Sequence, residues 1–147
     1  MHRIKNLILV FILIGCVQHA QDEVNGNRDW KHYQGGPGRN QYSKLEQINL
    51  DNVHKLEMAW MYRTGDADTS RNTQIQCNPL IIDGVLYGTS PVLECFALDA
   101  GTGKELWTFT PPIDERFIYS MGVNRGLTFW KDGNEKRLFY IAGNFLY

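Results

Sequence analysis

Apolar positions fall in two regimes along the chain. Between residues 7 and 14 they are unbroken, behind the basic Arg3 and Lys5. From residue 75 onward they come in short bursts divided by glycine-bearing turns. The bursts predict strands over 77–82, 85–89, 95–98 and 105–109, because each is too short for a helix and rich in β-branched or aromatic side chains. Asp83-Gly84 between the first two is a tight hairpin signal, and the chain from Asp99 to Lys104 turns through Gly101 and Gly103. A second unit is expected to begin at Gly122, with strands over 127–130 and 137–142 around a hairpin at Asp132-Gly133.

The stretch between the two regimes is polar and irregular. Residues 17–28 lack periodicity and read as a tether. Residues 30–43 hold Gly35, Gly36, Pro37 and Gly38 between aromatics, a loop dense in turn formers that its flanking rings can pin to a body. One helical turn is predicted within 48–56, with Asp51 as N-cap and Val53 and Leu56 on one face. Residues 56–62 alternate poorly but are rich in strand formers, and they are predicted to form a strand ending at Thr64-Gly65-Asp66. Residues 67–73 form a polar linker.

Four short strands within about 35 residues, joined by turns, match one blade of a β-propeller, whose repeat runs about 40–50 residues. The fold expected is all-β: about one and a half blades preceded by a loop region. A blade packs on a neighbour through both faces, so a lone blade and a half would leave an apolar face and an unpaired edge in water. No polar capping repeat precedes Tyr147, which leads to the expectation that the chain is truncated.

Composition narrows the partners. With a net charge of −1 the chain has neither a basic excess for nucleic acid nor an acidic tail. The apolar run at 7–14 is far shorter than the roughly 20 residues that span a bilayer, and it suits the central region of a secretory signal peptide. It ends in Leu13-Ile14-Gly15-Cys16, which resembles the lipobox of bacterial lipoproteins. That resemblance implies cleavage before Cys16 and a diacylglyceryl group on its sulfur, giving a signal peptide over 1–15 and a lipidated tether over 16–28. A plain signal peptide cut near Ala20 is the alternative. Cys77 and Cys95 then remain as a disulfide candidate. Placed two strands apart, about 9–10 Å at the usual 4.8 Å strand spacing, they exceed the ~7 Å limit for bridging. No bond between them is expected, and both should behave as small buried apolar groups. His19, His32 and His54 are scattered without zinc-ligand spacing, and no G-x-G-x-x-G follows a strand to suggest NAD.

The turn between the third and fourth strands carries a specific motif. Ala97-Leu98-Asp99-Ala100-Gly101-Thr102-Gly103-Lys104-Glu105-Leu106-Trp107 resembles the tryptophan-docking motif of the pyrroloquinoline quinone (PQQ) dehydrogenases, A-x-D-x-x-T-G-K-x-x-W, with Ala97, Asp99, Thr102, Gly103 and Trp107 among its matched positions. Its mechanics are legible without the family. Asp99 can accept hydrogen bonds from the turn's N–H groups, Gly101 and Gly103 permit the reversal, and Trp107 can bury a large ring between blades. The motif is a structural device that also occurs in propellers without enzymatic activity.

A second likeness is more selective. Trp30 and Tyr33, Tyr42-Ser43, Ile48-Asn49, Asn52-Val53 and Leu56 resemble the N-terminal signature of bacterial quinoprotein dehydrogenases, with Gln34 where the family usually has glycine. Gln76-Cys77-Asn78-Pro79 is similar to the family segment whose Glu or Gln, three residues before a proline, reaches the quinone. Val123-Asn124-Arg125-Gly126 is similar to the segment whose arginine lies beside the ortho-quinone. Alone, a glutamine before a strand or an Asn-Arg-Gly run is an ordinary turn feature. With the signatures around them, Gln76 and Arg125 become the candidate cofactor-binding residues. Arg125 offers a planar fork of donors to anionic oxygens, and Gln76 a donor or acceptor. Tyr119-Ser120 occupies the place of the adjacent cysteines found in some alcohol dehydrogenases of the family, which favours the glucose or sugar-acid branches.

The resemblance runs from about residue 30 to 147. It implies an eight-bladed quinoprotein propeller when complete, of which this chain is the N-terminal part. It further implies PQQ and Ca²⁺ as cofactors, a sugar or alcohol substrate, a quinone or cytochrome electron acceptor, and a place on the periplasmic side of a bacterial membrane. No residue matches the family's catalytic aspartate or its calcium ligands, which lie further along. The alternative is a lipoprotein propeller scaffold of the outer-membrane assembly type, which shares the docking motif and anchor but holds no cofactor. A nonfunctional gene remnant is the third reading.

Overall fold

A computed structural model describes residues 29–36, 38–112 and 123–147. The expected signal peptide, the Cys16 lipid site, the tether and Tyr119-Ser120 lie outside the described residues. Regular structure among the described residues is β-strand with three short 3₁₀ turns. Strands β1 (Leu80–Ile82), β2 (Val85–Thr89), β3 (Cys95–Asp99) and β4 (Glu105–Phe109) form one antiparallel meander in the order β1-β2-β3-β4. Strands β5 (Thr128–Asp132) and β6 (Glu135–Phe139) pair as a hairpin, and so do β7 (Ile141–Ala142) and β8 (Phe145–Leu146). This is the four-stranded blade followed by part of a second that the strand spacing predicts.

Turn chemistry fixes the meander locally. Ile82 pairs with Val85, so Asp83 and Gly84 form a two-residue loop, and both take positive φ (51° and 79°) as a type I′ hairpin requires. The β5–β6 loop is Gly133-Asn134, because Asp132 pairs with Glu135. The predicted turn therefore shifts by one residue. Burial peaks in β3, where Cys95, Phe96, Ala97 and Leu98 are all buried, and vanishes along the edge strand β4. The core joins the two units: Leu80, Ile82, Leu93 and Cys95 pack with Leu127, Tyr140 and Ala142. Tyr140 also donates its hydroxyl to the Leu93 carbonyl at 3.2 Å.

Other expectations need correction too: the strand expected over 137–142 is two, Glu135–Phe139 and Ile141–Ala142. The strand predicted over 77–82 begins only at Leu80. Pro79 has no N–H to offer a ladder, and the Asn78 N–H is taken by the Arg125 carbonyl at 3.0 Å. Cys77 is therefore off the strand and only half-buried, with its Sγ accepting from the Thr89 N–H at 3.3 Å, while Cys95 is buried in β3 and both thiols are free. The strand predicted over 56–62 has no ladder partner among the described residues and is held by side chains instead. The predicted helical turn is Val53–Lys55, capped in position by Asn52 rather than Asp51. Asn52 commits its side chain to the preceding loop, accepting from the Asn49 N–H at 2.8 Å and donating to the Gln47 carbonyl at 2.7 Å.

The N-terminal loop is pinned to the free edge of β1. Trp30 exchanges backbone hydrogen bonds with Ile81 at 2.7 and 3.1 Å, and its ring occupies the space a Cβ on Gly35 would need. Gln34, where the resemblance leads to an expectation of glycine, takes a left-handed conformation (φ 56°). A glycine at this position would relieve a cost of about 1–2 kcal/mol.

Candidate cofactor site

Gln76 and Arg125 are far apart in sequence, and the fold lays their segments side by side. The Asn78 N–H donates to the Arg125 carbonyl at 3.0 Å. One residue on, Gly126 takes φ +110°, and a Cβ there would come within 2.7 Å of the Asn78 carbonyl oxygen and 3.1 Å of Cys77 Sγ. Only glycine allows that conformation and that approach together. Arg125 is exposed and Gln76 half-buried, and neither side chain hydrogen-bonds to another described residue.

Asn124 organises this junction, and sequence reasoning does not single it out. Its Oδ1 accepts from the Thr89 hydroxyl at 2.7 Å and from the Gly126 N–H at 3.0 Å. Its Nδ2 donates to the Ile141 carbonyl at 3.2 Å. Thr89, at the end of β2, is 2% exposed, so its hydroxyl depends on this partner. The only signal in the sequence is adjacency to Arg125, since an asparagine before a turn usually bonds locally.

The docking motif closes one end of the same sheet. Ala97 and Trp107, its first and last matched positions, are cross-strand partners, with a bulge following at Leu98. Asp99 Oδ1 accepts from the Thr102 N–H at 2.8 Å and the Thr102 hydroxyl at 2.7 Å, and these bonds hold its carboxyl below the usual carboxylate range. Of the two glycines only Gly103 takes positive φ (71°). Trp107 is not enclosed: it stays 41% exposed and faces a cavity of about 310 Å³ with Tyr87, Phe129, Arg137 and Leu138.

The unpaired segment before residue 63 grips this turn. Trp60 donates its indole N–H to the Ala100 carbonyl at 3.2 Å, and Tyr62 donates to Glu105 at 2.8 Å. Loss of solvent, and then the Glu105 hydrogen bond, push the Tyr62 phenol up to about 12. Trp60, Tyr62 and Phe96 line an apolar cavity of about 280 Å³ that reaches Cys77 and Thr89, behind the Gln76 segment. Local sequence pattern points to none of these side chains, because the partners of Trp60 and Tyr62 lie about 40 positions away.

The residues present suit an oxygen-rich anion. PQQ carries three carboxylates and two quinone oxygens, which call for fixed donors, and a guanidinium and a neutral amide are side-chain types that can provide them. The approach at Gly126 packs the Arg125 loop against the backbone of Asn78 and the thiol of Cys77. Among the described residues no cluster of His, Cys, Asp and Glu gathers to hold a metal ion.

Comparison with known proteins assigns the family. The model of the family described as PQQ: Glucose/ethanol/alcohol dehydrogenase, beta-propeller domain, matches residues 30–145. The chain is 41% identical to the dehydrogenase subunit of alcohol dehydrogenase (quinone) from Gluconobacter oxydans (strain 621H), over 69% of this chain and 13% of that protein. It is 36% identical to quinoprotein glucose dehydrogenase from Escherichia coli (strain K12), over 70% of this chain and 13% of that protein. The crystal structure of quinohemoprotein alcohol dehydrogenase from Comamonas testosteroni superposes with a TM-score of 0.63 at 27% identity, covering 84% of this chain and 20% of that one. The chain thus spans a small part of the length of the relatives it matches. With a matched domain, a blade meander and the docking turn in one chain, this protein belongs to the PQQ-dependent glucose/ethanol/alcohol dehydrogenase β-propeller family.

Proposed function

We propose that this chain is the N-terminal part of a periplasmic PQQ-dependent dehydrogenase that oxidises a sugar or alcohol hydroxyl and passes the electrons to a quinone or cytochrome. In this reading the protein is lipid-anchored through Cys16, and Ca²⁺ ligands and the catalytic aspartate are supplied by sequence beyond Tyr147. The relatives that cover this chain are named as quinone-linked alcohol and glucose dehydrogenases. PQQ, when bound, is the redox group that accepts the two electrons of the substrate hydroxyl. The residues of this chain bind and orient it: Arg125 offers charge-assisted donors to its anionic oxygens, Gln76 reaches its edge, and Gly126 holds their segments together.

The observation that supports this reading is the Asn78-to-Arg125 backbone bond, which pairs the segment that follows Gln76 with the segment that carries Arg125. Titration of the full-length protein with PQQ, followed by quenching of its tryptophan emission, tests it. Saturable binding is expected, and Arg125→Ala is expected to weaken it roughly tenfold to a hundredfold, the range for loss of hydrogen bonds to a charged group. A wild-type protein that takes up no PQQ would identify a propeller scaffold instead. Unchanged affinity in Arg125→Ala would remove that residue from the site.

A further inference from the structure

We propose that Asn124 is a positioning residue of the cofactor site, which acts on the ligand only through Arg125. The proposal rests on the PQQ reading above and adds to it the device that aims the arginine. The peptide unit joining Arg125 to Gly126 is held at both of its polar ends. Its carbonyl accepts from the Asn78 N–H at 3.0 Å, and its N–H donates to Asn124 Oδ1 at 3.0 Å. With both ends tied, rotation of that peptide plane is restrained, and so is the backbone from which the Arg125 side chain leaves.

The Asn124 amide is itself fixed from two other elements. Thr89 at the end of β2 donates to its oxygen at 2.7 Å, and the Ile141 carbonyl at the start of β7 receives its N–H at 3.2 Å. Exchanging oxygen and nitrogen by a flip would set an NH₂ against the Gly126 N–H donor and an oxygen against the Ile141 carbonyl, so only one orientation satisfies the set. One side chain therefore ties the first sheet and the β7–β8 hairpin to the arginine loop. Aspartate, which has the same shape, would keep both acceptor roles and lose the donor to Ile141. Valine at 89 would keep the shape of threonine and remove the hydroxyl alone.

The test is a double-mutant cycle on PQQ affinity in the full-length protein, with hydrogen exchange at the Gly126 amide as a readout that needs no cofactor. Asn124→Ala is expected to weaken PQQ binding about tenfold, the scale of one lost ordering interaction. Asn124→Ala combined with Arg125→Ala is expected to bind no worse than Arg125→Ala alone, because the first acts through the second. Additive losses, or unchanged affinity in Asn124→Ala, would overturn the positioning role while leaving the cofactor reading intact. Wild-type protein without saturable PQQ binding overturns both. Should Asn124→Ala fail to fold, Thr89→Val is expected to lower affinity and speed exchange at Gly126, and Thr89→Ser to restore both. Equal behaviour of the valine and serine variants would overturn the proposal.

Discussion

The ring of Trp60 lies against Gly103 so closely that a Cβ on the glycine would come within 2.5 Å of it. Gly103 belongs to the docking turn and Trp60 to the extended segment before the first blade, so the contact fastens that segment to the blade. The Trp60 indole N–H adds to the attachment by donating to Ala100 of the same turn.

Gly103→Ala should therefore cost about 2–4 kcal/mol, combining a left-handed backbone with a clash against an aromatic ring. Gly101→Ala is the control. Gly101 has no positive φ, and a Cβ there meets only the Asp99 carboxylate at 3.5 Å, so its cost should stay within about 0.5 kcal/mol. Urea unfolding of the two variants in the full-length protein measures the difference. Equal losses would mean that the Trp60 contact contributes nothing.

Lys136 and Asp83 tie the β5–β6 hairpin to the β1–β2 turn, with Nζ and Oδ2 2.5 Å apart. The Lys136 hydrogen bond holds the Asp83 carboxyl below its ordinary range, and Asp83 raises the Lys136 ammonium above its own. A depressed carboxylate stabilises the fold above its unfolded pKa of about 3.9 and ceases to do so as pH falls through the folded value. A raised ammonium stabilises it below about 10.4 and ceases to do so as pH rises through the folded value. The pair thus contributes between these limits. Both side chains are half exposed, so salt should screen it. Lys136→Met should lower the thermal midpoint slightly at pH 7, and the difference from wild type should shrink as pH falls below about 3.9 or in roughly 1 M salt. A midpoint difference that persists under both conditions would assign the effect to packing of the lysine stem.

Cys95 is buried in β3, and desolvation pushes its thiol up to about 12. In the folded protein it should stay protonated and unreactive to maleimide at pH 8, and label only after denaturation. Since the unfolded thiol ionises near 8.5, the same shift makes this site favour unfolding increasingly as pH climbs from there toward 12. Peptide mapping after timed labelling, with Cys77 counted separately, reads the outcome. Rapid modification of Cys95 in the native state would show that β3 opens locally.

Much of the blade is legible in local sequence pattern. The residues 85–89 and 105–109 are strands with the bounds their pattern predicts, and Asp83-Gly84 turns where its residue types require, because hairpins depend on neighbours within a few positions. Residues 77–79 read as strand and are not, since what draws Asn78 out of the ladder is the Arg125 carbonyl, 47 positions further on by their numbering. The same limit hides Trp60 and Tyr62, whose extended segment bonds to a turn rather than to a strand.

By itself the sequence determined the strand meander and the docking turn at Asp99 and Thr102, and it singled out Gln76 and Arg125 as candidates. Each of those depends on local spacing or on the chemistry of one side chain. Only the tertiary structure decided that the Gln76 and Arg125 segments meet and that Gly126 makes room for Asn78. It also decided that Asn124 joins Thr89, Gly126 and Ile141 at one point. Those relations are contacts between distant parts of the chain, created when the blade and the start of the next share a core, and no local pattern encodes them.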